Sequence, residues 1–216
     1  HAQNFPKLYF FDIETKYDAQ SFPNPDLAAY EVTSISLVGP DMSCIVYGLR
    51  KLDESQIQLL RERYLEWIEN NEFAKSCKNK YNKEPKVLYQ YFESEKEMLK
   101  HFFTIICPKI KCTDQAGTVH KFTAPSHSVW LDYMEIVKSY DYILRPYESY
   151  SLDWVGEHAV NANKIKYQGT LNDLYEKDIE WYYFYNAIDS LIGLLIHYKL
   201  KSLESPCAVS SITLVP

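Results

Sequence analysis

The sequence predicts an α/β protein, with one mixed sheet covered by helices. Runs of strand length, such as Leu8–Ile13 and Val32–Val38, are apolar or alternate between apolar and polar residues. Longer segments such as Asp53–Asn70 place apolar residues at helical spacing. Because the two patterns interleave along the whole chain, we expect a single α/β domain over residues 1–216, in which His1 and Ala2 carry no fold information.

The first three strands are predicted to form an antiparallel meander. They are Leu8–Ile13, Val32–Val38 and Ser43–Leu49. Turns are expected at Gly39-Pro40 and at Gly48, and short turns join antiparallel neighbours. The N-terminal part of the sheet should therefore be antiparallel.

The middle of the chain is predicted to contain two helices separated by a loop and a strand. The helix Asp53–Asn70 precedes Lys75–Lys86, which is rich in Lys and Asn and is expected to be an exposed loop. Val87–Tyr91 returns as a strand. Ser94 and Glu97 have the spacing of a capping box ahead of an apolar helical stripe.

The C-terminal half is predicted to contain a hairpin, a strand that runs into a helix, two short helices and one long helix. In this order they are Ile110–Phe122 around Gly117, Val129–Val137, Ser151–Ala159, Leu171–Glu176 and Glu180–Leu203. A Ser or Thr residue at the start of each short helix is suited to cap it.

Composition and charge exclude several classes of protein. The net charge of −6 argues against a protein that coats duplex DNA by bulk electrostatics, although carboxylates that recruit divalent cations can still bring phosphates in. With 6 Gly residues the chain has no phosphate-binding loop, and no nucleotide-cofactor motif is present. No apolar run reaches the roughly 18 residues of a membrane span, so no membrane partner is expected. The 5 Cys residues lack zinc-ligand spacing and are expected to be buried free thiols.

Asp12 and Glu14 form the first candidate site. They are two residues apart at the end of a predicted strand and therefore point to the same face. Two carboxylates this close repel each other unless a positive charge lies between them, and their oxygens suit a divalent cation. Such pairs also occur at strand ends without a metal, so the motif alone leaves both interpretations open.

Tyr185 and Asp189 form the second candidate site. Residues four apart share one face of a helix, so these two side chains should project together. An apolar stripe further along the same helix would pack it on the sheet, which could aim Asp189 toward Asp12 and Glu14. Taken singly, Tyr185 could instead be one of many core tyrosines and Asp189 a solvated helix charge.

Together these residues resemble the motifs of the 3′→5′ proofreading exonuclease domain of family B DNA polymerases, most closely its phage and virus types. The segment FFDIET resembles the first exonuclease motif, D-x-E, and VTSISLVG resembles the strand that follows it. The phrases LDYMEIVKSY, YESYSLDWVGEHAV and KIKYQGTLNDLYEKDIEWYYFYNAIDS resemble the region leading into the third motif, Y-x-x-x-D. KLKSLESPCAVSSITLVP resembles the exit toward the polymerase palm. Tyr185 has the position of the tyrosine branch of the DEDD superfamily, whereas Phe184 stands where the histidine branch would place His.

The resemblance implies an RNase H-like arrangement of the α/β domain and a metal-dependent 3′→5′ exodeoxyribonuclease. Asp12, Glu14 and Asp189 would be the metal ligands for two Mg²⁺ or Mn²⁺ ions, and Tyr185 would orient the attacking water as the fourth catalytic residue. The substrate would be the unpaired 3′ end of single-stranded DNA, for which some aromatic residues would provide stacking surfaces. The partners would be the palm, fingers and thumb of a parent DNA polymerase, in the cytoplasm of a bacterial host or in a viral replication compartment.

The second motif of the family, N-x-x-x-[F/Y]-D, is missing from this sequence. Its Asp would be the fourth acidic ligand, and Tyr140-Asp141 is not preceded by Asn at the required position. The resemblance implies that several tens of residues expected in the family are absent here, with the join near Cys107-Pro108. Three explanations are open: residues of the protein that the printed sequence leaves out, a natural lesion in an inactive copy, or a rerouted chain in which Asp114 or Asp132 substitutes.

The missing motif leaves two functions open. One is a proofreading exonuclease, and the alternative is a non-catalytic module of a polymerase that holds the fold and guides single strands. With three carboxylates, we expect a continuous 216-residue chain to cleave DNA weakly or not at all. We also expect the helix Met98–Ile106 to expose apolar surface.

Overall fold

The computed structural model describes residues 8–16, 29–81, 83–106, 109–113, 119–123, 131–141 and 147–203, and of these it describes no side chains for 109–113, 119–123 and 139–141. Six strands and seven helices lie in these ranges. In chain order they are β1 (Phe10–Thr15), β2 (Val32–Val38), β3 (Cys44–Gly48), α1 (Glu54–Asn70), α2 (Glu72–Tyr81), β4 (Val87–Tyr91), α3 (Glu95–Ile106), β5 (Lys109–Thr113), β6 (Val119–Thr123), α4 (Tyr133–Asp141), α5 (Leu152–Val160), α6 (Leu171–Lys177) and α7 (Ile179–Leu200).

The main sheet has four strands in the order β1-β2-β3-β4. The first three pair antiparallel, which confirms the predicted meander, and β4 pairs parallel to β3. β5 and β6 form a separate antiparallel pair, which confirms the predicted hairpin, while Gly117 at its turn lies outside the described residues. A mixed sheet flanked by helices is the predicted α/β class, in the RNase H-like arrangement.

Helices cover both faces of the four-stranded sheet. α7 packs on one face, against β1 and β2, and its apolar residues join the larger core together with residues of α1, α5 and α6. α3 covers the opposite face with Met98 and Phe102, which pack against Ile35, Leu37 and Tyr47. Among the described helices, none is long and apolar enough to span a bilayer.

The outer side of α3 carries apolar residues that nothing described covers completely. Phe103 is 39% exposed and Ile105 is 49% exposed, whereas Met98 and Phe102 on the inner side are buried. The expected apolar surface on this helix is therefore present on one side of it.

The polar residues of β2 are buried rather than solvated. VTSISLV predicts a half-buried strand, but α7 covers the polar face and supplies a partner for each polar side chain. Thr33 Oγ1 lies 2.6 Å from the Tyr182 hydroxyl, Ser34 Oγ donates to Asn186 Oδ1 at 2.8 Å, and Ser36 Oγ lies 2.6 Å from Ser190 Oγ. The α7 partners are four residues apart, so one stripe of the helix matches one face of the strand.

The predicted loop Lys75–Lys86 is wrong over its first half, because α2 extends to Tyr81. Asn71 starts this helix by accepting a hydrogen bond from the Ala74 N–H at 2.8 Å. Ala74 and Cys77 are buried, Lys75 and Lys80 are exposed, and the half-buried Lys78 pairs with two glutamates. The lysine-rich composition thus belongs to the solvent face of a helix.

The prediction of a strand that runs into a helix over Val129–Val137 is confirmed for the helix and wrong for the strand at residues 131–132. Residues 131–132 have no regular structure, and α4 begins at Tyr133. The Asp132 carboxylate caps this helix by accepting the Met134 N–H at 2.9 Å. Residues 129–130 lie outside the described range.

The expectation of buried free thiols can be tested for two of the cysteines. Cys44 and Cys77 are free and buried. The side chains of the other three lie outside the described part of the chain.

A buried ion pair connects α1 to the first turn of α7. Arg63 pairs with Glu180, whose side chain is almost fully enclosed, and the Arg63 guanidinium also lies 4.4 Å from the centre of the Trp181 ring. Burial raises the pKa of the Glu180 carboxyl to about 7, although Arg63 opposes this increase. The second Glu180 oxygen, Oε1, has no hydrogen-bond partner among the described residues.

Replacing Gly48 with Ala should destabilise the fold by about 2–3 kcal/mol, because an added Cβ would lie 2.3 Å from the Tyr183 ring. Tyr183 cannot move easily, since it is buried and its hydroxyl donates to the Arg50 carbonyl at 3.0 Å. Urea denaturation measures the change. Gly39→Ala is the matched control: its Cβ would meet the exposed Tyr9 ring at 3.3 Å and should cost less than about 1 kcal/mol. Equal stability of the two variants would contradict this packing.

Replacing Glu180 with Gln should remove one pH-dependent contribution to stability. A carboxyl whose pKa rises from 4.5 to about 7 on folding stabilises the protein below pH 4.5, and this contribution is lost as the pH rises toward 7. The free energy of unfolding of wild type, minus that of Glu180→Gln, should therefore fall by about 2–3 kcal/mol between pH 4.5 and 7.5. All other carboxyls cancel in this difference. A difference that stays constant or increases with pH would disprove the assignment.

Candidate functional site

Three carboxylates predicted as a site converge at the contact between β1 and α7. Asp12 and Glu14 lie on the face of β1 that α7 covers, and Asp189 comes from the middle of α7. One carboxylate oxygen from each residue lies within 4.8 Å of the others. The structure therefore brings the two separate motifs together, within the span that one or two divalent cations can bridge.

Asn186 fixes the position of Asp12. Its side-chain amide donates to Asp12 Oδ2 at 3.0 Å, while its carbonyl oxygen accepts the Ser34 hydroxyl. Asp12 also lies opposite Ser36 in the β1–β2 register, and the Ser36 hydroxyl donates to the Asn186 backbone carbonyl at 2.7 Å. The polar contacts between β2 and α7 thus determine where the first carboxylate lies.

Tyr185 and Lys164 complete the cluster. The Lys164 ammonium donates to Asp189 Oδ2 at 2.7 Å and lies 3.2 Å from the Tyr185 hydroxyl, so that it links the carboxylate to the phenol. Lys164 belongs to the segment between α5 and α6, where Asp153 Oδ1 accepts its backbone N–H at 3.0 Å. One ammonium group thus faces both residues of the predicted third motif.

The electrostatics of the cluster favour a positive ligand. Burial raises the pKa of Asp12 to about 6, and the charge of Asp189 adds to the increase. Burial, followed by the charge of Asp12, raises the pKa of Glu14 well above its usual value. Burial also raises the pKa of Asp189, against the opposing effect of Lys164. Each carboxylate thus disfavours the charged form of the others, and a divalent cation between them would relieve this repulsion.

Tyr185 remains a neutral phenol. Burial, reinforced by the charge of Asp189, raises the pKa of its hydroxyl. For Lys164, burial lowers the pKa, but the charge and hydrogen bond of Asp189, together with the charges of Asp12 and Glu14, outweigh this effect and leave the pKa raised. The pair therefore presents a hydroxyl and a cation beside the carboxylates.

The residues fit a divalent metal ion. Asp189 Oδ1 is buried and has no hydrogen-bond partner among the described residues, so it keeps a lone pair available. The donor set consists of carboxylate oxygens, which suit Mg²⁺ and Mn²⁺ better than they suit softer metals. These three residues could hold one or two such ions.

Sequence reasoning missed Lys164 and Asn186. Asn186 is next to Tyr185, but no general pattern marks an amide in a helix as a partner for a carboxylate. Lys164 lies 25 residues before Asp189 in an irregular segment, where one lysine among many carries no signal. Only the docking of the α5–α6 segment on α7 brings its ammonium to the site.

Of the two candidate substitutes for the fourth carboxylate, Asp132 does not join the cluster and Asp114 lies outside the described residues. Asp132 caps α4, as described above, and its carboxylate is not part of the group formed by Asp12, Glu14 and Asp189. Asp114 lies outside the described residues, as do Cys107 and Pro108, and the side chain of Asp141 is not described. Within the described residues the cluster has three carboxylates.

The class of the chain follows from comparison with known proteins. Residues 2–110, half of the chain, match the family described as DNA polymerase family B, exonuclease domain. The chain therefore belongs to this family. The match includes Asp12 and Glu14 but ends before Lys164, Tyr185 and Asp189, so their link to the first motif rests on the geometry above.

The chain is also similar in sequence to an individual phage polymerase. The chain is 39% identical over 69 residues, or 32% of its length, to the DNA-directed DNA polymerase of Escherichia phage RB69. The aligned part spans 7% of that polymerase.

Replacing Glu14 with Gln should stabilise the metal-free protein at pH 8 by about 1–2 kcal/mol, because it removes one of three crowded carboxylates and leaves the Lys164–Asp189 pair intact. With 10-millimolar Mg²⁺ or Mn²⁺ we expect the order to reverse, since binding to the native state raises the melting temperature of wild type more than that of the variant. Thermal unfolding in EDTA and in metal measures both effects.

Glu66→Gln, an exposed carboxylate on α1, is the control for removing one charge and should change neither value. If Glu14→Gln is less stable than wild type in EDTA and gains the same increase in melting temperature from metal, the cluster is not a metal site.

Proposed function

We propose that this chain is the 3′→5′ exonuclease domain of a family B DNA polymerase, and that the domain hydrolyses the 3′-terminal phosphodiester of single-stranded DNA when its second motif is present. The observation that supports this most is the convergence of Asp12, Glu14 and Asp189 in a domain that belongs to the exonuclease family. The arrangement of carboxylates from two distant motifs around one point is suited to phosphodiester hydrolysis with divalent cations.

The four predicted catalytic residues have distinct roles in this proposal. Asp12, Glu14 and Asp189 would hold two Mg²⁺ or Mn²⁺ ions, which when bound supply positive charge to the phosphate and acidify water. Tyr185, as a neutral phenol, would orient the attacking water through its hydroxyl. Lys164 would hold Asp189 and the Tyr185 hydroxyl in place and present an ammonium to the phosphate.

The wider setting is proposed from the relatives. Partners would be the 3′ end of a single DNA strand and the palm, fingers and thumb of a longer chain, because the phage relative is a DNA-directed DNA polymerase. The place of action would then be the cytoplasm of a bacterial host or a viral replication compartment. Proofreading would be the purpose of the cleavage.

The alternative is a non-catalytic module that guides single strands in a polymerase. The count of three carboxylates within the described residues, together with the missing second motif, favours this alternative for the chain as it stands. A site one ligand short would bind metal less tightly and place the attacking water less accurately, and a misplacement near 1 Å can reduce the rate about 10²-fold.

We expect the 216-residue chain to shorten a 5′-fluorescein-labelled single-stranded oligonucleotide at least about 10²-fold more slowly than a version with a second motif restored between α3 and β5. The restored version should yield a ladder of products in Mg²⁺ or Mn²⁺ and none in EDTA. Gel electrophoresis of a time course measures both rates. An intact mass of 25.4 kDa confirms that the chain tested is continuous.

Asp189→Asn and Tyr185→Phe in the restored version are the controls for the site, and Glu66→Gln is the control for charge. Loss of cleavage in the first two with retention in the third supports the proposed roles. Fast metal-dependent digestion by the continuous 216-residue chain would refute the three-ligand argument. No cleavage by the restored version would favour the non-catalytic alternative.

A further inference from the structure

A groove beside the carboxylate cluster has no role in the proposed chemistry. It has a volume of about 450 Å³ and lies between α1, the α5–α6 segment, α6 and the start of α7. Its lining includes Arg63, Lys166, Tyr167, Lys177 and Trp181. It therefore combines cations with aromatic rings in a chain whose net charge is −6.

The groove and the candidate site lie along the same face of α7. Trp181, Tyr185 and Asp189 follow each other at four-residue steps, so they lie on the same face of the helix. With a rise of about 1.5 Å per residue, Trp181 lies about 12 Å from Asp189 along the axis, which two or three nucleotides of a single strand can span. The Tyr167 ring bridges the two regions, because it meets the Tyr185 ring edge-on at 5.4 Å.

The cations of the groove differ in how far they are already neutralised. Lys177 pairs with Asp173, and Arg63 pairs with the buried Glu180. Lys166 is exposed and has no ion-pair partner within the ranges that the structure describes. Lys166 is therefore the cation best able to receive a new anion.

The acidic residues that line the groove, Asp173 and Asp178, form no ion pair with Lys166 in the described structure. The Asp178 carboxylate caps α7 by accepting the Trp181 N–H at 3.1 Å. The Asp173 carboxylate accepts the Thr170 N–H at 3.0 Å, in addition to its pair with Lys177. Both carboxylates are thus held by helix ends and by a lysine.

We propose that this groove binds one nucleotide unit of DNA, with the base against the aromatic rings of Tyr167 and Trp181 and the phosphate against Lys166. Half-buried aromatic rings stack on bases of any sequence, and lysine binds phosphate. The inference rests on the proposed function, because it places the nucleotide next to the site of cleavage. The unit is either part of the strand that remains attached or the mononucleotide that cleavage releases.

The test compares the wild-type chain with Lys166→Gln in binding 5′-fluorescein-labelled (dT)₈, measured by fluorescence anisotropy at several salt concentrations in EDTA. We expect Lys166→Gln to bind about five- to tenfold more weakly. The slope of log K against log salt should also decrease by about 0.7, the value for one phosphate contact on a single strand. Lys75→Gln, on a helix that contributes nothing to the groove, removes the same charge and should bind like wild type.

Competition with dTMP identifies the source of the nucleotide. If dTMP displaces the oligonucleotide, and does so more weakly in Lys166→Gln, the groove binds the released mononucleotide. If dTMP does not compete while Lys166→Gln still weakens the oligonucleotide, the groove binds the attached strand. Both results support the proposal.

Two other results would overturn it in different ways. If wild type binds (dT)₈ and Lys166→Gln binds it equally well, the groove is not a nucleotide subsite and the proposed function is unaffected. If wild type binds neither (dT)₈ nor dTMP, and the version with the restored second motif does not cleave either, the groove and the proposed function are both wrong.

Discussion

The hydrogen bonds between the polar face of β2 and one stripe of α7 are the interaction on which the rest of the structure depends. Thr33, Ser34 and Ser36 are fully buried, and a buried hydroxyl without a partner costs roughly 1–3 kcal/mol. A shift of α7 by one residue along the sheet would break every pair at once. The packing of apolar residues alone would tolerate such a shift far better, because hydrophobic contact has no direction. These hydroxyls therefore fix the register of α7.

This register is also what creates the candidate site. Asn186 belongs to the same stripe and uses its two amide atoms in opposite directions, toward Ser34 and toward Asp12. With Asn186 fixed, Asp189 lies less than one turn further along the helix, beside Asp12 and Glu14. The fold thus holds three like charges together through neutral hydrogen bonds that lie behind them. Such crowding lowers stability without a metal, as is common where a site is arranged for a ligand.

Some of the basic residues around α7 stabilise the fold, and others belong to the candidate site. Arg63 compensates a buried glutamate and holds the first turn of α7 against α1, whereas Lys164 compensates one of the three carboxylates. Lys166, two residues later, has no such partner within the described ranges and faces the groove. The α5–α6 segment therefore presents two nearby ammonium groups, one paired with Asp189 and one without an ion-pair partner among the described residues. This arrangement would suit a DNA backbone that passes from the cluster into the groove.

The sequence by itself determined the α/β class, the N-terminal meander and the acidic motifs, because these depend on periodicity and on spacing within single elements. Asp12 with Glu14 and Tyr185 with Asp189 could be paired in this way, since strand and helix geometry fixes which neighbours share a face. The tertiary structure alone decided that the hydroxyls of β2 are buried, that α2 is a helix with a lysine-rich outer face, and that Lys164 and Asn186 reach the carboxylates. These outcomes depend on which distant element covers a given residue, and the spacing of residues within one element does not determine that contact.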